Sequence, residues 1–414
     1  MSVPDLVGPA APSLDTARPA AAPARPKTAA RAMPRIGREQ RLDMFRGLAL
    51  VMIFIDHVPG TIYENLTLRN FGFSDAAEAF VFMSGMAAGL AYSSRFAAGS
   101  VWLAIAKVWA RARQLYFVHV TTTVMAIAIC AAAALWFGLG DLLTKNNLGP
   151  LFKSPLGAII GIPTMTHQLG YFNILPLYIV LLLATPVFIV IGLKRPLLLL
   201  GASVLLWIVA GQFRLNLPNF PNPGGWFFNP LSWQLIFVVG LLSGIAMKQG
   251  RAFVPFRSWL FWLGVGFLAL TFLWARTSIV GGFFSHMLTS LSQMGVPFYI
   301  TGFDKTFLSL PRLLHALALF YVVSCLPFVA SFASGRSAGP LTLLGRYGLP
   351  VFATGSVLSI FCQAVKEVTG SSFVADSALM AFGLAVQLGL AAALAWIVAM
   401  RSAASARTPA PKEA

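Results

Sequence analysis

Long apolar segments recur along almost the whole chain, and they constrain its fold more than any other feature. We predict about ten membrane spans, near 42–58, 73–93, 113–138, 170–192, 196–213, 231–248, 258–275, 312–331, 348–366 and 377–400. Each is close to the length of roughly 20 residues that a helix needs to cross a bilayer. Only 10% of the residues are charged and 57% are hydrophobic, which excludes a soluble globular domain. Because a span must satisfy its own backbone hydrogen bonds, the sequence predicts an all-α polytopic membrane protein.

Positive charges are concentrated in alternate loops. If the first span runs outward, 21 of the 30 Lys and Arg residues lie in the tails and loops on the inner side, and eight lie on the outer side. The positive-inside rule therefore predicts that both termini are cytoplasmic, as an even number of spans requires. Membrane topology then explains the net charge of +17, and nucleic acid is not expected as a partner.

Three regions follow from this pattern. Residues 1–38 are rich in Ala, Pro and Arg, so we predict a disordered, basic cytoplasmic tail. Residues 39–402 are predicted to form one transmembrane domain, and residues 403–414 a second cytoplasmic tail. The three cysteines lie in apolar segments without the spacing of metal ligands or redox pairs, so no metal site is expected.

An arginine and a histidine lie eleven residues apart in the first apolar segment, RGLALVMIFIDH. Eleven residues at about 100° each make three turns plus roughly 20°, so Arg46 and His57 share a helix face, roughly 16 Å apart along the axis. Asp43 lies near the same face and could pair with Arg46. Ionisable groups within a span favour a functional site. The alternatives are that Arg46 extends to the lipid headgroups and that His57 has a structural role at the interface.

The second segment carries Glu78 near its outer end, on the same side of the membrane as His57. Gly85 and Gly89 share its helix face and would let another helix approach closely. Glu78 is therefore predicted to face a helix interface, where it could orient the His57 imidazole as a general base requires. Asp56, next to His57, is the other candidate for this role. The alternative for Glu78 is a structural pair with Arg69 or with the end of a neighbouring helix.

A basic cluster marks the inner end of the third segment. Lys107 and Arg111 share a helix face, and Arg113 lies close by in the sequence. The cluster could bind the phosphates of coenzyme A, or it could serve topology and contact anionic lipid. Lys107, Arg111 and Arg113 are therefore candidate cofactor-binding residues.

Polar and aromatic residues on the outer side are candidate substrate-binding groups. The loop at 214–230 is rich in Pro, Asn, Gly and Trp, which suits a sugar-binding platform and a rigid lid equally well. A second group of charges lies near the start of the eighth span. The candidates from both regions are Asp304, Lys305, Arg312, Asn229, Trp233 and Gln234. For Asn229 and Trp233 the alternative is anchoring at the membrane interface.

Seven segments, in order, resemble those of the OpgC-type proteins. They are RLDMFRGLALVMIFIDH, FGFSDAAEAFVFMSG, RARQLYFVH, ILPLYIVLLLATP, WFFNPLSWQLIFVVG, DKTFLSLPRLLHALAL and LPVFATGSVLS, and the resemblance runs from about residue 38 to 400. The Arg-x10-His element, taken alone, resembles the signature of the wider superfamily of type 3 membrane acyltransferases. Two positions depart from the OpgC pattern: Asn173 stands where an Asp is usual, and Tyr347-Gly348 stand where an Asn-Ser pair is frequent.

This resemblance implies a multi-pass enzyme of the bacterial inner membrane, an O-succinyltransferase. It would move a succinyl group from cytoplasmic succinyl-CoA to hydroxyls of osmoregulated periplasmic glucans, with the acyl-CoA as a co-substrate and no permanently bound cofactor. Its partners would be the acyl-CoA, the glucan, the lipid bilayer and, as candidates, glucan-synthesis proteins. The alternative functions are acylation of another surface glycan, such as lipopolysaccharide, and proton-coupled transport.

Within this resemblance, His57 is expected to be the general base that removes the proton of the acceptor hydroxyl. Arg46 would hold the phosphopantetheine arm of the donor, the succinyl carboxylate or the developing oxyanion. Lys305 and Arg312 would bind the acyl carboxylate or the acidic glucan product. A transiently acylated His57 is an open alternative to direct transfer.

Overall fold

The computed structural model describes residues 35–97 and 101–407, with side chains placed at 40–97 and 101–404. Apart from one isolated bridge between Pro218 and Gly225, the regular secondary structure of these ranges is helical. The predicted all-α class is confirmed. The predicted N-terminal tail lies almost entirely outside the described residues, as does most of the C-terminal tail, whose first five residues continue the last helix.

Sixteen α-helices occupy the described ranges. They are α1 (Arg35–Asp56), α2 (Ala76–Ala97), α3 (Val101–Phe137), α4 (Gly149–Lys153), α5 (Pro155–Gly161), α6 (Ile174–Lys194), α7 (Pro196–Gln212), α8 (Pro230–Lys248), α9 (Ser258–Arg276), α10 (Ser278–Gln293), α11 (Phe298–Thr301), α12 (Leu310–Cys325), α13 (Pro327–Ser334), α14 (Gly339–Arg346), α15 (Gly348–Thr369) and α16 (Phe373–Arg407). Several of them, including α7, α8 and α12, have a proline in the first turn. Proline is favourable there because the first N–H groups of a helix have no partner within it.

Six of the described helices are long and apolar enough to cross a membrane: α3, α6, α8, α9, α15 and α16. The pair α12–α13, which bends by 74° at its break, would make a seventh, and α7 is apolar but shorter. The other two predicted spans correspond to α1 and α2, which have 22 residues each. Charged and small residues make these two helices less apolar. The predicted count of ten is therefore not confirmed by helix length and composition.

The backbones of α2 and α8 are in direct contact. A Cβ atom added at Gly85 or Gly89 would overlap the backbone of α8, and one added at Gly240 or Gly244 would overlap the backbone of α2. Small residues at such positions are what allows two helices to approach this closely. The predicted close approach at Gly85 and Gly89 is confirmed, and it fixes the helix that carries Glu78.

α1 packs against α14 through a similar contact. A Cβ atom at Gly47 would overlap the carbonyl group of Leu341, and one at Gly345 would overlap the carbonyl group of Asp43. α1 also contacts α2, α13 and α15. None of the side chains at 40–56 is fully exposed. Between residues 40 and 56, α1 thus packs among other helices, and its polar side chains are partly buried.

Candidate active site

Arg46 lies at the middle of α1 and is partly buried. Its Nη1 atom donates to Oδ1 of Asp43 at 3.2 Å and to the carbonyl oxygen of Gly345 at 3.4 Å. The predicted pair between Asp43 and Arg46 is therefore present. Since Asp43 lies about one turn further from His57 than Arg46 does, this contact directs the guanidinium away from the histidine.

His57 follows the last residue of α1. Its ring centroid lies 4.4 Å from that of Tyr171, and its carbonyl oxygen accepts a hydrogen bond from Nε2 of Gln363 at 2.6 Å. Its Nδ1 atom is buried and has no hydrogen-bond partner among the described residues. Burial and, to a smaller extent, the positive charge of Lys305 lower the pKa of His57 from 6.5 to about 3. The imidazole is therefore neutral at pH 7, which is the form that accepts a proton.

Neither of the carboxylates predicted to orient His57 contacts its ring. Oδ1 of Asp56 accepts from the hydroxyl of Thr67 at 2.7 Å. Glu78 is fully buried and accepts from Nε of Arg312 at 2.8 Å and from the backbone N–H of Asp75 at 2.9 Å. A buried carboxylate requires an opposite charge, which a neutral imidazole does not supply. The structure thus places Glu78 in an ion pair instead of beside His57.

Four charged side chains form a cluster beyond the end of α1. Oδ2 of Asp75 lies 2.5 Å from Nζ of Lys305 and 3.1 Å from Nη2 of Arg312, while Glu78 pairs with the same Arg312 at 2.6 Å. Burial opposes ionisation of Asp75, which lies in the loop before α2, but Lys305 and Arg312 outweigh it and hold its pKa below the ordinary range. Two cations and two carboxylates are therefore matched, and Arg312 is already occupied by partners within the protein.

A cavity of about 230 Å³ opens beside this charge cluster. The ring of Phe73 lies 4.7 Å from that of Phe303 and 5.1 Å from that of Trp274, so aromatic faces form part of its surroundings. Arg69, at 49% exposure of its side chain, also borders the cavity. The lining residues are Arg69, Gly72, Phe73, Ser74, Asp75, Phe303 and Arg312. The combination of aromatic rings with charged groups at a small cavity is compatible with binding a sugar unit.

The other four outer candidates have structural partners. Asn229 is buried and caps α8, accepting from the N–H of Leu231 at 3.1 Å. Trp233 donates from Nε1 to the carbonyl oxygen of Lys305 at 2.9 Å. Gln234 donates from Nε2 to the carbonyl oxygen of Ser203 at 2.8 Å. Asp304 accepts at Oδ1 from the backbone N–H of Phe307 at 2.8 Å. Asn229, Trp233 and Gln234 are buried, their polar groups hold helix ends and loops, and they are not among the residues that line the cavity. Their role in substrate binding stays a prediction.

Two of the sequence candidates do meet at the cavity. Arg312 lines it directly, and Lys305 binds Asp75 on its wall. Sequence patterns did not single out Asp75, although a signal was present. An acidic residue just before a helix is favourable at the positive end of the helix dipole, and Asp75 also accepts from the N–H of Ala77 at 2.8 Å.

The predicted phosphate-binding residues are spread along the first part of α3. Lys107 and Arg113 are exposed, and Arg111 is half-buried. Nη1 of Arg111 donates to Oε1 of Gln114 at 2.7 Å, on the same helix. Arg111 is thus the least exposed of the three, whereas Lys107 and Arg113 remain at the surface.

Comparison with known proteins gives one positive result. Neither the search of curated proteins nor the search of solved structures found a significant match. A protein-family model described as OpgC protein matches residues 38–399, which is most of the chain. That range includes Arg46, His57 and all residues that line the cavity beside the charge cluster, which we call the outer cavity. The chain therefore belongs to the OpgC protein family.

Proposed function

We propose that this protein is a transmembrane O-acyltransferase that moves a succinyl group from succinyl-CoA to hydroxyls of osmoregulated periplasmic glucans. Membership of the OpgC family indicates a membrane acyltransferase-like role in glucan modification. One observation carries the proposal further: α1 holds Arg46 at its middle and leads into His57 at its end, so the two residues share one helix face, roughly 16 Å apart along the axis. A donor and an acceptor that enter from opposite sides of a membrane require such an arrangement.

In the proposed reaction the acceptor hydroxyl oxygen attacks the thioester carbonyl carbon while His57 takes the hydroxyl proton. The new C–O ester bond forms, the C–S bond breaks, and the proton passes from His57 to the coenzyme A sulfur. A neutral imidazole is needed at the start of this sequence, in agreement with the lowered pKa of His57. The products are the succinyl ester and free coenzyme A. A transiently acylated His57 would give the same products in two steps.

Arg46 suits one of its three expected roles better than the others. Its guanidinium is bound by Asp43 and by the carbonyl oxygen of Gly345, on the side away from His57. It therefore lies too far along α1 to stabilise an oxyanion formed beside His57. Holding the phosphopantetheine arm of the donor is the role that we assign to Arg46.

The outer cavity is the proposed acceptor site. Oδ1 of Asp56, the residue before His57, lies 4.0 Å from Nη1 of Arg69, which lines that cavity. Sugar rings pack their C–H faces against aromatic side chains, and Phe73 and Phe303 offer such faces. Arg69 is the more accessible cation of the lining: its side chain is 49% exposed in its pair with Glu64, whereas that of Arg312 is 12% exposed between Glu78 and Asp75. We therefore assign contact with sugar hydroxyls or an added succinyl carboxylate to Arg69.

The proposed topology has ten spans, with both termini in the cytoplasm of a bacterial inner membrane. This number is reached by adding α1, α2, α7 and the bent pair α12–α13 to the six apolar helices. α1 and α2 pack among other helices, and such spans can carry polar residues that lipid-facing spans cannot.

The test is the charge of periplasmic glucans in cells that produce His57→Ala. Anion-exchange chromatography is expected to show loss of the anionic glucans while the total amount of glucan stays the same. The matched control is His286→Ala, since His286 is exposed on α10, and its glucans are expected to stay anionic. Retained succinylation in the His57 variant would exclude His57 as the base. Unchanged glucan charge on removal of the whole protein would point instead to another surface glycan.

A further inference from the structure

The side-chain contacts of His57 do not explain how its ring is oriented. Its Nδ1 atom is buried and has no hydrogen-bond partner among the described residues. Asp56 and Glu78, the two carboxylates expected to orient it, bind Thr67 and Arg312 instead. A general base must be held close to the proton that it removes. The groups that hold His57 must therefore act on its backbone or pack against its ring.

The backbone of His57 is tied to α15. The end of a helix leaves carbonyl groups without partners inside the helix. Nε2 of Gln363 donates to the carbonyl oxygen of His57 at 2.6 Å, and Nζ of Lys366 donates to that of Pro59 at 2.9 Å. Since residues three apart share a helix face, one face of α15 holds the segment from His57 to Pro59.

Gln363 is itself held by the loop that joins α3 to α4. Nδ2 of Asn146, in this loop, donates to Oε1 of Gln363 at 2.9 Å. A side-chain amide whose oxygen accepts from one partner directs its NH2 group to another, and here that group binds the His57 carbonyl oxygen. Asn146 has a φ of 52°, in the left-handed region that Asn tolerates better than most residues. The contact with Asn146 therefore sets the orientation of the Gln363 amide.

The backbone of Asn146 also anchors the segment that carries Tyr171. Its carbonyl oxygen accepts from the N–H of Gly170 at 2.8 Å, and a Cβ atom added at Gly170 would lie 3.2 Å from Cα of Asn146. Tyr171 follows with a φ of 71°, a strained conformation that persists where the surroundings hold it. Its ring centroid lies 4.4 Å from that of His57. Asn146 is thus connected to His57 twice, to the carbonyl group through Gln363 and to the ring through Tyr171.

We propose that Asn146 and Gln363 are positioning residues for His57, which fix both the peptide group that carries the imidazole and the tyrosine ring on which it packs. This inference rests on the proposed function, in which His57 is the base. Neither residue lines the outer cavity. Their loss should therefore lower kcat without changing the KM for donor or acceptor.

The first test observes the His57 ring without turnover. Its Cε1–H signal is recorded by nuclear magnetic resonance in micelles with isotope-labelled histidine, and is assigned among the signals of the five histidines by its loss in His57→Ala. Gln363→Met keeps a side chain of similar length but removes both hydrogen bonds. The signal is expected to move toward its position in Tyr171→Asn, which lacks the shielding tyrosine ring, or to split.

A matched control is available one turn further along α15. Nζ of Lys145 binds Oε1 of Glu367, and this pair ties the same loop to the same helix. Their side chains are 46% and 44% exposed, so the pair contributes little to stability. Glu367→Gln breaks this tie without touching the contacts of His57, and the His57 signal should keep its wild-type position.

The second test measures kinetics in proteoliposomes with acyl-CoA and glucan. Gln363→Met is expected to lower kcat about 10-fold to 100-fold, because a catalytic group displaced by about 1 Å can lose that much. The KM for both substrates should stay within about twofold of the wild type, as should kcat in Glu367→Gln.

A paired substitution tests the polarity of the chain of hydrogen bonds. Asn146→Asp places an acceptor against Oε1 of Gln363, so the amide must turn its oxygen toward the His57 carbonyl, and kcat should fall at least about tenfold. Adding Gln363→Lys supplies an ammonium group that can donate both to the new carboxylate and to the His57 carbonyl oxygen. The double variant should recover kcat to within about fivefold of the wild type.

The outcomes separate this proposal from the proposed function. A His57 signal that does not move in Gln363→Met, or a loss of kcat that only matches a loss of folded protein in a thermal unfolding assay, would overturn the positioning role. A raised KM at unchanged kcat would also overturn it. A signal that moves in Gln363→Met but not in Glu367→Gln supports the positioning of His57, even if His57→Ala leaves the glucans anionic and the proposed function fails.

Discussion

The buried ion pair between Glu78 and Arg312 makes a sharp prediction about stability. The Glu78 side chain is 0% exposed and that of Arg312 is 12% exposed, with 2.6 Å between their charged atoms. Arg312→Gln would leave the Glu78 carboxylate buried beside a neutral amide. Removing one member of a buried ion pair destabilises proteins by about 3–5 kcal/mol. Asp75 also loses Arg312 but keeps Lys305, so we add no second penalty.

The reverse substitution, Glu78→Gln, should cost less. The amide oxygen of Gln can still accept from the N–H of Asp75, and Arg312 keeps its contact with Asp75. We therefore expect a loss of about 1–3 kcal/mol. In the double variant neither charge is stranded by the loss of the other, so its stability should match that of Glu78→Gln within about 1 kcal/mol. The coupling energy is then about equal to the loss in Arg312→Gln alone, about 3–5 kcal/mol.

The assay is thermal unfolding in detergent micelles, followed by the reaction of the buried native Cys130 and Cys362 with a fluorogenic thiol dye. The expected order of melting temperature is wild type, then Glu78→Gln together with the double variant, then Arg312→Gln. The control is Arg69→Gln, because Arg69 is 49% exposed in its pair with Glu64. An exposed pair contributes less than about 1 kcal/mol. A double variant that loses the full sum of the two single losses would refute the coupling.

Three further predictions follow from other parts of the structure. Because the pKa of His57 is lowered to about 3, its protonation should not reduce kcat/KM between about pH 8 and pH 5. A fall in kcat/KM below about pH 6.5 that disappears in a His57 variant with residual activity would contradict this. Asn229→Ala removes the N-cap of α8 and should lower stability by about 1–2 kcal/mol in the same melting assay, without a direct effect on acceptor binding. Gly240→Ala should destabilise by at least about 2 kcal/mol because its methyl group meets the Phe82 carbonyl, whereas Gly266→Ala, which has open space around it, should be neutral or slightly stabilising.

Helical periodicity predicted those relations in the site that involve residues of a single helix. The Asp43–Arg46 pair and the close approach at Gly85 and Gly89 involve residues on a single helix face, and all are present. Such relations follow from 100° of rotation per residue and need no knowledge of the neighbouring helices. The all-helical class followed in the same way from the length of the apolar segments.

Relations between distant segments could not be predicted in this way. Glu78 pairs with Arg312, which is 234 residues away, and nothing in either segment indicates this choice over His57. For Asn229, a local signal of its structural role was present in the sequence. An Asn followed by Pro230 is a frequent start for a helix, and this local signal favoured capping over substrate binding.

The glycine contact between α2 and α8 has a mechanical consequence for catalysis. Where two backbones touch with no side chain between them, neither helix can slide or rotate past the other without a clash of carbonyl groups. The two helices therefore move as one unit, so the start of α2, with Glu78 and the preceding Asp75, keeps its position relative to α8. Widening of the cavity for a bulky carbohydrate then has to come from other lining residues, such as Phe303 in the segment that leads into α12.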